Sequence, residues 1–175
     1  MQALIFIVDT LIGLYLLVLL LRLLLQLTRA DFRNPVARAL VQVTNPVIVP
    51  LRRLLPPVGR IDTASVVAIL VVATMRILAN QALLGLGVPS PADLAGDLLA
   101  SLLRLVLHTY FYAIFLYALL SLVAPGAGSP AQSLLHSLGE PVLRPIRRTI
   151  PPLGGLDLSP LWAGIAIQDL LLLLR

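Results

Sequence analysis

The sequence predicts an all-α membrane protein: four transmembrane helices in two same-orientation repeats, each a helix, an interfacial amphipathic segment and a second helix. Three observations predict it. The 175-residue chain is 59% hydrophobic and only 12% charged, whereas soluble domains run near about 45–50% apolar and about 25% charged. Four stretches are apolar over roughly the 17–25 residues that a bilayer-spanning helix needs. Two eighteen-residue phrases, 95 positions apart, repeat one another. Nothing alternates with a period of two, so a membrane barrel is not expected.

The first repeat is expected over 1–88, beginning with a span at 3–27. Its start lacks the basic region and small-residue cleavage site of a signal peptide, and its apolar run is longer than the ~7–15 residues of such a peptide, so it reads as a retained helix. An interfacial segment follows at 34–55. Val36, Leu40, Val43 and Val47 recur at spacings of four, three and four, one apolar helical face. Thr44-Asn45-Pro46 then predicts a fresh start, with Asn45 as N-cap and Pro46 at the first helical position. Val47, Ile48, Leu51, Leu54 and Leu55 supply the oily side of that second short helix, beside Arg52 and Arg53. Pro56 and Pro57 end it, Gly59 permits a tight turn, and Asp62 or Thr63 caps the next span, 64–88.

A connector at 89–97, "PSPADLAGD", leads to the second repeat, 98–175. That repeat is expected as a span at 98–123, an interfacial segment at 131–150 and a span at 158–174. Leu134, Leu135 and Leu138 precede "EPVLRPIRRTIPP" much as the earlier apolar residues precede "NPVIVPLRRLLPP". Pro151 and Pro152 end the segment, Gly154 and Gly155 turn the chain, and Asp157 or Ser159 caps the last span, with Pro160 in its first turn. This final span is the shortest and carries Gln168 and Asp169.

Loop charges set an expected orientation. Residues 28–63 contain six arginines (Arg29, Arg33, Arg38, Arg52, Arg53, Arg60) and 124–157 contain three (Arg144, Arg147, Arg148), while the connector has Asp93, Asp97 and no basic residue. The positive-inside rule puts both long segments in the cytoplasm and the connector outside, with both termini outside as well.

Shifting the chain by 95 lays "NPVIVPLRRLLPPVGRID" (45–62) on "EPVLRPIRRTIPPLGGLD" (140–157), identical at nine of eighteen positions. The matches are Pro46, Val47, Pro50, Arg52, Arg53, Pro56, Pro57, Gly59 and Asp62. The same shift superposes the first span on the third and the second on the fourth. At "EPVLRPIRRTIPPLGGLDLSP" (140–160) the sequence resembles the YggT family of small bacterial and plastid membrane proteins, as a tandem pair. The first copy departs from that pattern, with Arg60 for the second glycine and "DTAS" for "DLSP". The resemblance implies a non-enzymatic protein of the bacterial inner membrane and carries over no catalytic residues. Bacterial relatives are linked to osmotic or ion stress and to the neighbourhood of cell-division genes. Chloroplast relatives are linked to haem attachment in a b-type cytochrome and to nucleoid distribution.

Composition excludes several chemistries. All thirteen basic residues are arginine, which removes Schiff-base lysines and the phosphate-gripping lysine of a P-loop. With no cysteine there is no thiolate, disulfide or iron–sulfur ligation, and two histidines, His108 and His136, are too few for a His-based metal cluster. No metal or cofactor is expected. Arg52, Arg53, Arg144, Arg147 and Arg148 are candidates to grip anionic lipid headgroups or a membrane-protein partner, and a homo-oligomer is compatible with the same surfaces. A plainer role for them is to enforce topology. Nucleic acid is not expected, because no aromatic residues interleave with the basic ones. Asp62 and Asp157 are expected to cap helices and to pair with an arginine at the same depth, such as Arg22. Charges within the spans are Asp9, Arg22, Arg76, Arg104 and Asp169, with His108 one turn from Arg104. Such groups cost about 2.5–3.5 kcal/mol each at a helix centre, so they are expected in pairs: Asp9 with Arg104, and Asp169 with Arg76.

Overall fold

The computed structural model of the protein describes residues 2–59, 61–123, 128–149 and 157–174. These form α1 (Gln2–Leu27), α2 (Pro35–Leu54), α3 (Thr63–Leu84), α4 (Pro91–Val123), α5 (Pro130–Thr149) and α6 (Ser159–Leu173). The all-α architecture is as expected; the four-span, two-repeat arrangement is not. Among the described residues only α1, α3 and α4 are long and apolar enough to cross a membrane. The fourth segment, α6, has 15 residues, about 22 Å of helix against a hydrocarbon core of about 30 Å. Pro160 fixes its start in the first turn and the helix ends at Leu173, which leaves too few residues for a crossing.

Three helices begin alike, through a signal the hydropathy pattern hides. Asn34, Ser90 and Ser129 each precede a proline at the first helical position. Their side-chain oxygens accept the N–H of Val36 at 2.9 Å, Asp93 at 3.2 Å and Gln132 at 3.1 Å. Proline has no N–H to leave unpaired there, and the cap satisfies one of the donors that follow. At α4 the Ser90 hydroxyl also donates to Asp93 at 2.6 Å, so the expected connector 89–97 is mostly helix and α4 runs to 33 residues. Helix α3 stops at Leu84 rather than at 88, where the Gly85 and Leu86 N–H groups close back on the Ala82 and Gln81 carbonyls.

The expected break at Asn45 is absent. Helix α2 runs unbroken through Pro46 and Pro50, and α5 through Pro141 and Pro145. Each proline removes the bond to the carbonyl four residues back. Gln42, Pro46 and Pro50 all lie on an exposed side of α2, so the released carbonyls meet surroundings that can solvate them. The buried side of α2 carries Ala37, Thr44 and Ile48; Val36 and Val43 of the expected face are exposed.

The chain divides into two compact units, Met1–Leu23 with Leu40–Leu105, and Leu24–Ala39 with Val106–Arg175. This division does not follow the sequence repeat, since residues of the first copy belong to the second unit. In the first unit α3 buries Ala64, Ser65, Ala68, Ile69 and Ala73, mostly small side chains that let helices approach closely. In the second, Ile114 of α4, Leu143 of α5 and Ala163, Ile167 and Leu171 of α6 form one core, flanked by Leu107, Tyr110 and Phe111. The large apolar side chains left outside, such as Phe6, Leu11, Met75 and Phe115, belong to the helices with bilayer character.

Candidate functional site

Each arginine pair sits in the last turn of its helix, Arg52–Arg53 on α2 and Arg147–Arg148 on α5. In the first hairpin, Pro56 and Pro57 follow α2 and the chain reverses between Val58 and Ile61. Their backbones exchange bonds at 3.2 and 3.1 Å. Gly59 takes φ 62° there, a left-handed conformation that disfavours any side chain. The reversal brings Asp62 under α2. Arg52 Nη2 reaches Asp62 Oδ2 at 2.7 Å and its Nε lies 3.2 Å from both carboxylate oxygens. Ser65 donates to the same carboxylate at 2.6 Å, and Thr63 donates to the Pro56 carbonyl at 2.8 Å.

Asp62 therefore occupies the N-cap position of α3 without capping it, because its fully buried carboxylate is spent on Arg52 and Ser65. Burial alone would raise its pKa; the bonds from Arg52 and Ser65 outweigh burial and hold it below the ordinary carboxylate value. Its partner is Arg52 and not Arg22. Arg22, itself buried, instead donates through Nη1 to Thr44 Oγ1 at 2.5 Å and Asn45 Oδ1 at 3.0 Å, fastening α1 to α2.

The second hairpin repeats the pairing. Arg147 Nε meets Asp157 Oδ2 at 2.8 Å, and Asp157 Oδ1 accepts the Ser159 N–H at 3.0 Å just ahead of α6. Ser159 is buried at the helix start. Burial works against the charged forms of both partners but is outweighed: the hydrogen bonds from Ser159, and then from Arg147, hold Asp157 below its ordinary value, while Asp157 and Glu140 raise Arg147 above its own. Arg147 Nη1 also reaches Glu140 Oε2 at 2.9 Å, and His136 Nε2 lies 3.4 Å from that oxygen. Pro151, Pro152, Gly154 and Gly155 lie outside the described residues. Arg53, Arg144 and Arg148 are exposed.

The charges in the spans pair otherwise than expected. Asp9 takes Arg76, not Arg104, in a two-pronged bond with both contacts at 2.8 Å, and Asn80 donates to Asp9 at 2.6 Å. Gly13, one turn along α1 from Asp9, makes room: a Cβ there would stand 3.3 Å from the Arg76 guanidinium. Asp169 is thus not the partner of Arg76. It is exposed, and with Gln168 it borders an apolar groove of about 530 Å³ lined by Phe111, Phe115 and Ile165. Arg104 Nε donates to the Ala100 carbonyl at 3.2 Å, and His108 stacks on Tyr112 with ring centroids 6.3 Å apart.

Glu140, Ser65 and Asn80 escaped the sequence reading, and Asn45 figured in it only as a helix cap, not as the acceptor for Arg22. Glu140 left a signal: it is the one acid that replaces an uncharged residue, Asn45, where the two phrases align. Among the described residues no group of three or more histidines or acids could hold a metal.

The CCB3/YggT family model matches the chain twice, over residues 1–83 and 96–175. The chain belongs to that family. It is 40% identical over 174 residues to an uncharacterised protein of Pseudomonas aeruginosa, covering 95% of this chain and 85% of that one. It is 40% identical over 169 residues to an uncharacterised protein in the proC 3′ region of Vibrio alginolyticus, covering 96% and 91%. To the YggT protein of Escherichia coli K12 it is 37% identical over 161 residues, covering 92% and 83%. No solved structure matches. As a CCB3/YggT protein it is a non-catalytic, multi-pass protein of the bacterial inner membrane, embedded in lipid.

Proposed function

We propose that this CCB3/YggT protein is a scaffold or assembly factor for other membrane proteins, working from its arginine hairpins at the cytoplasmic face. The observation that carries the reading is a division of labour within each arginine pair. The first member, Arg52 or Arg147, is latched to an aspartate, while the second, Arg53 or Arg148, is exposed beside it. Latching holds the exposed guanidinium at a fixed place, where it can grip an anionic headgroup or a partner's acidic group bidentately. The nine arginines of segments 28–63 and 124–157 favour the cytoplasmic side for both hairpins, and α1, α3 and α4 suffice to bring them there. Helices α2 and α5 then lie as amphipathic elements in the headgroup layer, within copies taken as 1–88 and 98–175 around the 89–97 connector.

Affinity purification from native membranes in mild detergent tests this. Wild type should carry membrane proteins and anionic lipids, and an Arg53→Ala/Arg148→Ala variant should carry several-fold less at unchanged stability. Equal recovery from both would overturn the reading. The alternative is a small oligomeric channel or transporter serving osmotic or ion balance. It is favoured less because Asp9 and Arg76, which would serve a polar path, neutralise each other. Robust ion flux from purified protein in proteoliposomes would put that alternative in its place.

A further inference from the structure

The two copies differ in charge where α5 passes Glu140. In the first copy the matching residue is Asn45, and a cation reaches it from the protein itself: Arg22 of α1 donates to its Oδ1 at 3.0 Å. The residue matching Arg22 in the second copy is Tyr117, so α4 supplies no cation there, while the acceptor has become a carboxylate. Beside Glu140 lies a polar cleft of about 310 Å³ lined by Thr28, His136, Ser137, Glu140, Pro141 and Arg144. Nothing comparable in charge is available to the first copy, where Val41, Gln42 and Val49 match His136, Ser137 and Arg144.

The cleft offers both halves of a zwitterion site. Glu140 Oε2 accepts from Arg147, with His136 Nε2 3.4 Å away, whereas Oε1 has no donor among the described residues. Pro141 lacks the N–H that would bond the Ser137 carbonyl, so that carbonyl loses its usual helical donor at a residue that also lines the cleft. One turn on from Glu140, Arg144 is exposed and has no ion pair among the described residues. A carboxylate and a carbonyl without its helical donor suit a primary ammonium; a free guanidinium beside them suits a phosphate.

We infer that this cleft binds the headgroup of an aminophospholipid, with its ammonium on Glu140 and the Ser137 carbonyl and its phosphate on Arg144. The inference rests on the headgroup-layer placement proposed above for α5 and narrows it to one lipid class at one copy. A quaternary ammonium has no N–H to donate, and a headgroup without an amine leaves Glu140 Oε1 without a donor, so neither fits as well.

Native mass spectrometry of the full chain tests this, with the protein released from micelles doped equally with phosphatidylethanolamine, phosphatidylcholine and phosphatidylglycerol. One phosphatidylethanolamine per chain should persist after the other lipids are stripped. Arg144→Ala and Glu140→Gln should each cut that adduct about tenfold, the loss of one charge-assisted hydrogen bond. Arg144 is exposed, and glutamine still accepts from Arg147, so both variants keep the fold. Equal retention of phosphatidylcholine or phosphatidylglycerol, or an adduct indifferent to Arg144→Ala, would overturn the site while leaving the scaffold reading intact. Retention of no lipid of any class would count against both. Millimolar soluble phosphoethanolamine should leave the lipid bound; displacement would assign the cleft to a small solute and overturn the lipid.

Discussion

Arg52 and Asp62 meet at 2.7 Å across ten residues, and their counterparts Arg147 and Asp157 meet at 2.8 Å across the same interval. The repeated phrase is therefore a repeated ion latch. Its two copies differ in burial. The Asp62 side chain is 1% exposed, against 40% for Asp157.

That difference sets the first prediction. Arg52→Ala strands a buried carboxylate and should cost about 3 kcal/mol, the low end for a broken buried pair because Arg52 is itself partly exposed. Arg147→Ala breaks a more exposed pair and should cost about 1 kcal/mol. Arg53→Ala touches no latch and should stay within about 0.5 kcal/mol. Denaturant unfolding in detergent ranks the three. Equal losses for Arg52→Ala and Arg53→Ala would mean that the latch does not hold the hairpin.

Acid should open both latches. Asp62 and Asp157 are lowered in the folded protein, so the stability they contribute is fully present above the unfolded carboxylate pKa of about 3.9 and is lost as pH falls through the lower folded values. Arg147, being raised, acts in the opposite sense and only at the alkaline extreme, since its stabilisation is present below the ordinary arginine value. A melting profile should thus be level from pH 8 to about pH 5 and fall below about pH 4. In Asp62→Asn the acid limb should be shallower, with a lower plateau. An acid limb that Asp62→Asn leaves unchanged would assign the transition to other groups.

A long apolar run marked α1, and the repeated proline–arginine phrase marked the two arginine-bearing helices, because both are local properties. The ends of α6 were legible to within one residue, 158–174 expected against Ser159–Leu173, but an oily stretch of that length was wrongly counted as a span. The continuity of α2 through Pro46 was not legible. That depends on whether the released carbonyls face a solvating side, which only the packed helix decides. Partner choice was the least legible of all. Depth along the helices favours Arg104 for Asp9, yet Asp9 pairs with Arg76, so depth does not choose between arginines. The choice fell to Gly13, whose missing side chain admits the Arg76 guanidinium.

Gly13 supplies the last prediction. Arg76 holds Asp9 only because the space beside residue 13 is open, so Gly13→Leu should push the guanidinium aside and weaken the pair as Arg76→Met does. Arg76→Met leaves Asp9 to Asn80 alone, at a cost of about 2 kcal/mol for a charge at membrane depth. The double variant Asp9→Asn/Arg76→Met removes both charges together and should recover most of that loss, because a neutral pair has no stranded ion. Unfolding measurements on the two single variants and the double should yield a coupling of about 1–2 kcal/mol. Adding Gly13→Leu to the double variant should then cost less than Gly13→Leu costs in wild type, because no guanidinium remains to be displaced. Strict additivity throughout would show that Asp9 and Arg76 do not act as a pair and that Gly13 is small for another reason.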